Sequence, residues 1–212
     1  MNVVRHPCMT EEIERRLFGE QLCFMYDDAD TKNRPVRGVH SNAILMWSLL
    51  PNVLRDTFKQ EFSKGKLDSP DKRLTEMQWI DILTRVRDSL VRCPLCGDES
   101  FITRTSVSCI NHHCNGAHSV MMWFETGDRS MPLINNNILR TGKGDMITGR
   151  VVLKPGTSDV LLIQNLTKHD WRIITPSNKS VTVAPRGFFP AKVGMKVEIN
   201  DNETTITYKI NN

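Results

Sequence analysis

Cys93-Pro94-Leu95-Cys96 and Cys109-Ile110-Asn111-His112-His113-Cys114 are two cysteine pairs near the middle of this 212-residue chain. Each pair lies on a short turn that can present two thiolates a few ångströms apart, and two such turns facing each other supply four ligands at about 2.3 Å to one tetrahedral zinc ion. Four protein ligands leave no coordination position for water, which is typical of structural zinc. The spacing therefore predicts a zinc ribbon over residues 93–127, with zinc in a structural role.

The predicted metal ligands are Cys93, Cys96, Cys109 and Cys114. His112 stands three residues after Cys109, a spacing that also suits a ligand pair, so the alternative in which His112 replaces Cys114 stays open. Clustered cysteines can also form disulfides. This sequence has no secretory features, however, and metal binding is favoured in a reducing compartment.

Composition and charge indicate a folded chain with no strong overall field. The sequence is 39% hydrophobic and 25% charged, with a formal net charge of +4. Its longest apolar run, Ala43 to Leu50, is too short to cross a bilayer, and the first residues, MNVVRHPCM, show no signal-peptide pattern. We therefore expect a cytoplasmic protein without membrane association, in which Cys8 and Cys23 are buried thiols.

Residues 1–92 carry the apolar spacing of helices. Thr10, followed by three glutamates within four residues, predicts a helix N-cap. The pattern then predicts a buried helix over Ser41–Leu50 and another over Asn52–Lys64 that Gly65 closes. Pro51 either ends the first of these helices or opens the second.

A further helix is predicted to open near Leu74 and to run into the first cysteine pair. Its apolar positions recur at intervals of three and four residues. Trp47 and Trp79 are expected to anchor the core of this helical region.

Residues 128–212 alternate apolar and polar side chains between closely spaced turn residues, which predicts a small antiparallel β-sandwich. The expected strands are Ile147–Leu153, Val160–Asn165, Trp171–Thr175, Val181–Ala184, Lys196–Ile199 and Thr204–Ile210. The fold class is thus α+β, with a helical region (1–92), a zinc ribbon (93–127) and a β-sandwich-like domain (128–212).

The helical region resembles the end of the C-lobe of a eukaryotic-type protein kinase. The resemblance rests on Leu50-Pro51, on Phe58-Lys59-Gln60-Glu61-Phe62-Ser63-Lys64-Gly65 and on Asp71-Lys72-Arg73-Leu74-Thr75-Glu76, with Trp79 three residues later. Upstream, Arg5-His6-Pro7-Cys8 and Asn33-Arg34-Pro35-Val36 are similar to a group of bacterial Ser/Thr kinases in which a zinc element and a β-rich tail follow the kinase domain. The likeness covers residues 1 to about 115 and extends only loosely to the tail.

The kinase resemblance implies a structural role for Arg73, which matches an arginine that pairs with a glutamate at the end of the activation segment. That glutamate is absent from this chain, so Arg73 must have another partner. The catalytic motifs of a kinase are also missing from the sequence: the Gly-rich loop, the strand lysine, the H-R-D loop and the D-F-G aspartate. His169-Asp170-Trp171 is interpreted as a strand junction and Gly142-Lys143-Gly144-Asp145 as a turn.

The tail is also faintly similar to the closing half of phosphopeptide-binding forkhead-associated domains. The similarity lies in Leu162-Ile163-Gln164-Asn165-Leu166-Thr167, in Trp171 and in Val193-Gly194-Met195-Lys196-Val197. The glycine-arginine and serine-x-x-histidine elements that hold phosphate in that family are not evident here. A protein-binding sandwich without ligand chemistry is the simpler expectation.

Three functions are consistent with the sequence. The first is a non-catalytic regulatory or targeting module of a bacterial Ser/Thr kinase; the resemblance implies a kinase, a metal-dependent phosphatase or a von Willebrand A-type protein as its partner. The second is a zinc-ribbon protein that binds nucleic acid, although residues 93–127 hold one arginine, no lysine and three acids. In the third, the chain is part of an active kinase whose catalytic residues lie upstream.

Helices of this kind would expose the faces that normally pack on the rest of a kinase lobe. Such apolar patches favour association. We therefore expect either a homo-oligomer or a complex with another chain.

Overall fold

The computed structural model describes residues 10–15, 24–67, 69–102, 106–127, 129–141, 146–201 and 204–212. The chain divides into two compact units, Met1–Ile82 and Leu83–Asn212, and the boundary falls inside a helix. Helices occupy the first unit, and strands in antiparallel pairs occupy most of the second. The coarse prediction of an α+β fold is confirmed.

The helices are α1 (Glu11–Arg15), α2 (Ser41–Leu49), α3 (Asn52–Glu61), α4 (Lys64–Leu67) and α5 (Glu76–Asp88), with a 3₁₀ turn at Pro70–Lys72. Thr10 caps α1 as predicted, because its Oγ1 accepts a hydrogen bond from the Ile13 N–H at 3.4 Å. Pro51 occupies the N-cap position of α3, so it opens the second helix. Thr75 and Gln78 form a reciprocal capping box at the start of α5, since each side chain accepts a hydrogen bond from the other residue's backbone N–H.

Three helix predictions are wrong in detail. The helix predicted to run into the first cysteine pair ends at Asp88, and Leu90–Arg92 form a strand before Cys93. The helix predicted to be buried, α2, has no buried residue, and Met46 is 59% exposed, because only one side of the helix packs on the rest of its unit. The helix predicted to end at Gly65 ends at Glu61, and Gly65 lies in α4. The buried Glu61 carboxylate accepts the Leu74 N–H at 2.6 Å and pairs with Lys66 at 3.2 Å, and these contacts hold the chain that follows α3 in a separate turn.

Aromatic side chains hold the helical unit together. The rings of Tyr26 and Trp47 stack with centroids 4.0 Å apart, and Phe58 contacts both Trp47 at 6.3 Å and Trp79 at 5.5 Å. Such pairs add about 1 kcal/mol each beyond the burial of their area. Both tryptophans therefore anchor this unit as predicted, although each of them is only half-buried.

The second unit begins with two small antiparallel hairpins that carry the cysteines. The first pairs β1 (Leu90–Arg92) with β2 (Glu99–Phe101), and the second pairs β3 (Ser106–Ser108) with β4 (Ala117–Ser119). A small cluster of buried apolar side chains, Val91, Ile102 and Val120, packs against Trp123 and Ile134. The hairpins therefore rest on the strands that follow them.

Ten further strands form two antiparallel sheets. These strands are β5 (Trp123–Thr126), β6 (Arg129–Pro132), β7 (Ile138–Thr141), β8 (Met146–Leu153), β9 (Leu161–Asn165), β10 (Trp171–Ile174), β11 (Ser180–Val183), β12 (Phe188–Pro190), β13 (Lys196–Asp201) and β14 (Thr204–Asn211). The six-stranded sheet has the order β11-β10-β13-β14-β5-β6, and the four-stranded sheet has the order β12-β9-β8-β7. The six strands expected from the sequence are confirmed with small shifts of their ends. The domain boundaries predicted from the sequence place Trp123–Thr126 in the zinc ribbon (93–127). In the structure these residues form β5, which lies inside the six-stranded sheet.

One hydrophobic core serves both sheets. Val151 and Ile163 of the four-stranded sheet are fully buried, and they belong to the same cluster as Trp171, Val197 and Tyr208 of the six-stranded sheet. In each strand these inward residues alternate with more exposed ones, as the period of a half-buried strand requires.

The junction between β9 and β10 is fixed by a buried amide. Asn165 is fully buried; its Nδ2 donates to the carbonyls of His169 and Val183, and its Oδ1 accepts the Thr167 N–H. Thr167 Oγ1 in turn accepts the Trp171 indole N–H at 3.0 Å. The segment before Trp171 is therefore a strand junction, as expected.

A buried ion pair ties the end of α5 to the six-stranded sheet. Arg129 on β6 makes a bidentate contact with Asp88, with Nε at 2.8 Å from Oδ2 and Nη2 at 3.0 Å from Oδ1. Their side chains are only 12% and 2% exposed. Removing one partner of such a pair leaves the other charge buried without compensation.

We predict that Asp88→Asn lowers the free energy of unfolding by about 3 kcal/mol in urea titrations. The matched control is Glu99→Gln, which removes an ion pair with Arg92 whose side chains are 54% and 73% exposed, and which should cost less than about 1 kcal/mol. Equal effects of the two substitutions would contradict a structural role for the buried pair.

Candidate metal centre

The cysteines lie where the strands of the two hairpins meet their turns. Cys93 directly follows β1, and its turn closes when the Gly97 N–H donates to the Cys93 carbonyl at 2.9 Å. In the second hairpin the Cys109 N–H donates to the Gly116 carbonyl at 2.8 Å, and the Cys114 N–H donates to the Asn111 carbonyl at 2.9 Å. The two turns thus aim their cysteine side chains at one point.

The structure brings all four predicted ligands together. The sulfur atoms of Cys93, Cys96, Cys109 and Cys114 lie within 4.8 Å of one another. Across the two hairpins, Cys93 Sγ is 3.7 Å from Cys114 Sγ, and Cys96 Sγ is 3.5 Å from Cys109 Sγ. Cys93 and Cys109 are buried, whereas Cys96 is exposed. These four side chains are close enough to bind one metal ion.

Each of the four sulfurs faces the backbone amide two residues further along the chain. The amides of Cys96 and Leu95 favour the thiolate of Cys93, and the amides of Asp98, Asn111 and Gly116 favour the thiolates of Cys96, Cys109 and Cys114, respectively. An N–H group aimed at sulfur stabilises the deprotonated form, which is the form that binds metal.

The net effect on the thiol pKa differs between the four cysteines. Backbone N–H groups, with that of Cys96 first and that of Leu95 second, lower the pKa of the Cys93 thiol to about 7. At Cys96, Cys109 and Cys114 the backbone N–H is also the largest influence and lowers the pKa. Burial together with neighbouring thiols outweighs it, however, and the net pKa is raised.

Gly116 leaves the space that two sulfurs occupy. A Cβ atom at this position would lie 2.7 Å from Cys93 Sγ and 3.2 Å from Cys114 Sγ. The Gly116 N–H also approaches Cys114 Sγ at 3.4 Å. The absence of a side chain is therefore part of the geometry of the cluster.

Three polar residues that the sequence analysis did not single out join the two cysteine turns. Buried Ser100 accepts the Ile110 N–H on its Oγ at 3.0 Å. Asp98 Oδ2 accepts a hydrogen bond from Asn111 Nδ2 at 2.8 Å. Asp98 lies two residues and Ser100 four residues after Cys96, and Asn111 lies inside the second cysteine turn, so the sequence does not distinguish them from ordinary turn residues.

The other residues considered as sites lie apart from the cysteine cluster or outside the described residues. His112 is exposed and is not part of the cluster. Arg73 donates its Nε to the Lys66 carbonyl at 3.1 Å, within the helical unit. Cys8, Cys23 and the turn predicted at 142–145 fall outside the described residues.

Comparison of the chain with protein-family models, with curated proteins and with solved structures finds no significant match. Among the described residues, none of the helices has the length and apolar character needed to cross a membrane.

We predict that Gly116→Ala weakens metal binding, measured with zinc, about tenfold or more, because the added methyl group displaces Cys93 Sγ or Cys114 Sγ. Competition with a chromophoric chelator measures this affinity. The control is Gly65→Ala in the helical unit, where a Cβ meets nothing within 4 Å and the affinity should stay unchanged. Unaltered affinity in the Gly116 variant would contradict the proposed sulfur positions.

Proposed function

We propose that this chain is a non-catalytic docking module of a bacterial Ser/Thr kinase system, folded around a structural zinc ion held by Cys93, Cys96, Cys109 and Cys114. The proposal that the ion is zinc rests on the distances between the four sulfur atoms. Four ligands at about 2.3 Å in a tetrahedron stand about 3.8 Å apart. The two distances across the hairpins, 3.7 and 3.5 Å, are close to that value and far from the roughly 2.05 Å of a disulfide bond.

Four thiolate ligands suit a structural ion better than a catalytic one. A catalytic zinc usually keeps a position open for water or substrate, and four cysteines complete the tetrahedron. The backbone amides that face the sulfurs would offset part of the negative charge that four thiolates leave around a divalent ion. In this proposal the metal contributes folding free energy and takes no part in a reaction.

Docking is supported by the apolar surface of the helical unit. Leu45 and Met46 on α2 are 44% and 59% exposed, and Met77 and Ile80 on α5 are 68% and 52% exposed. Adjacent exposed apolar side chains on one helix, as at Leu45 and Met46, offer a surface that another protein can cover. This region resembles the end of a kinase C-lobe. We therefore propose that a kinase chain covers this apolar surface and that the helices complete or contact that chain. A phosphatase or a von Willebrand A-type protein would be a further member of the complex.

We predict about one zinc per purified chain by elemental analysis, and less than about half an equivalent after substitution of Cys93, Cys109 or Cys114 by Ser. Each substitution removes one of four ligands and leaves a site that holds the ion weakly. His112→Ala is the matched control and should retain the full equivalent, because His112 lies outside the cluster. Zinc loss in the His112 variant, with retention in the Cys114 variant, would show that the histidine is the ligand instead.

The kinase connection predicts that the chain, used as bait in extract of its own cells, retains a Ser/Thr kinase. Mass spectrometry identifies the captured chains, and an assay with radiolabelled ATP measures their activity. Phosphorylation should appear only when captured material is present. The double substitution Leu45→Ser and Met46→Ser should abolish capture, whereas Lys196→Glu on the β-rich unit should not. Capture of nucleic acid, or of no kinase or phosphatase, would contradict the kinase part of the proposal.

A further inference from the structure

The two sheets of the second unit present different outer faces. On the six-stranded sheet the outward side chains include charged groups of both signs. Arg172 pairs with Glu198 at 3.2 Å, and Lys196, Lys209 and Glu125 form one row across three strands, with Ile174 and Thr207 on the same face. Charged side chains of both signs are typical of a sheet face in water.

The outer face of the four-stranded sheet is mainly apolar. Its side chains form two rows across the strands: Ile138, Arg150, Gln164 and Phe188 in one row, and Val152, Leu162 and Pro190 in the next. The residues that alternate with them, Leu139, Val151, Ile163 and Phe189, are buried in the core. We call these two rows the apolar sheet face.

Several side chains of the apolar sheet face are open to solvent. Phe188 is 51% exposed, Arg150 and Pro190 are also exposed, and Leu162 and Val152 are half-buried. Five apolar side chains side by side on one regular sheet surface form a contiguous patch, and such patches on soluble domains mark binding sites.

Arg150 determines what this face can bind. It lies within the row between Ile138 and Gln164, and the apolar sheet face contains no carboxylate among its seven residues. A partner that covers the face removes the guanidinium from water, which is costly unless an anion is supplied. The partner must therefore bring a carboxylate among its apolar side chains.

A second copy of this chain packed with the same face does not meet that requirement. Packing two apolar sheet faces around a twofold axis brings the same patch against itself, so the two Arg150 side chains approach each other without a carboxylate from either face. Like charges at the centre of an interface are unfavourable.

We propose that the apolar sheet face binds a protein segment that presents apolar side chains around one Asp or Glu, which pairs with Arg150. The inference rests on the proposed docking function and gives it a second surface, separate from the exposed residues of the helical unit. Phe188 and Leu162 provide the apolar contact, and Arg150 selects for the carboxylate.

The test is selection from a random peptide display library on the full zinc-loaded chain, followed by affinity measurements with synthetic copies of the selected peptides. The expected peptides carry an Asp or Glu flanked by apolar residues. Arg150→Glu and Phe188→Ser should each weaken their binding about tenfold or more, since each removes a central contact. The control Lys196→Glu makes the same charge change on the other sheet and should change the affinity less than about twofold.

A charge-swap experiment distinguishes loss of the ionic contact from misfolding of the variant. Replacing the acidic residue of a selected peptide by Lys should abolish binding to the wild-type chain and restore binding to the Arg150→Glu variant. Zinc content and the thermal unfolding midpoint of the Arg150 and Phe188 variants should match those of the wild type.

Three results would overturn the inference. The first is selected peptides that bind equally well to the Arg150→Glu and Phe188→Ser variants; the second is a failure to select any peptide. The third is a concentration-dependent dimer in sedimentation that Phe188→Ser dissociates, because a second copy would then cover the face. None of these depends on the kinase, so the docking proposal is judged separately, by the capture experiment and the helical-unit variants.

Discussion

The convergence of four cysteine sulfurs is the constraint on which the middle of this protein depends. The two hairpins that carry them have strands of three residues each, and the buried apolar cluster described for them consists of Val91, Ile102 and Val120. So small a core is insufficient to order two hairpins by itself, and small domains of this kind usually need disulfides or a metal. In the account proposed here, zinc supplies the missing free energy, because its binding energy becomes folding energy.

The cysteine hairpins then connect the helix α5 to the two sheets. Residue 88 ends α5, β1 begins at Leu90, and the ion pair between Asp88 and Arg129 joins the helix end to β6. Val120 and its neighbours pack against Trp123 and Ile134, at the start of the sheets. The cysteine cluster, the buried ion pair and this contact thus act on the same short stretch of chain. Loss of any one of them should loosen this stretch within the second unit.

The sequence predicts those parts of the fold that depend on local pattern. The paired cysteines indicate the four side chains that cluster, and alternation of apolar residues locates six strands, since burial on one side of a sheet imposes a period of two. The strands β6 and β12 have only three or four residues and end in proline, so their pattern is too short to recognise. The contact between Asp88 and Arg129 spans 41 residues, and nothing local in the sequence indicates it. The exposure of α2 was also unpredictable, because an apolar helix has the same pattern whether its own chain or a partner covers it.

X-ray absorption at the zinc edge of the purified chain tests the central claim most directly. It measures the identity and distance of the atoms bound to the metal. The account predicts four sulfur atoms at about 2.3 Å and no lighter ligand. A spectrum that requires a nitrogen or oxygen at about 2.0–2.1 Å would contradict the four-cysteine site, and with it the role of zinc as a closed structural centre.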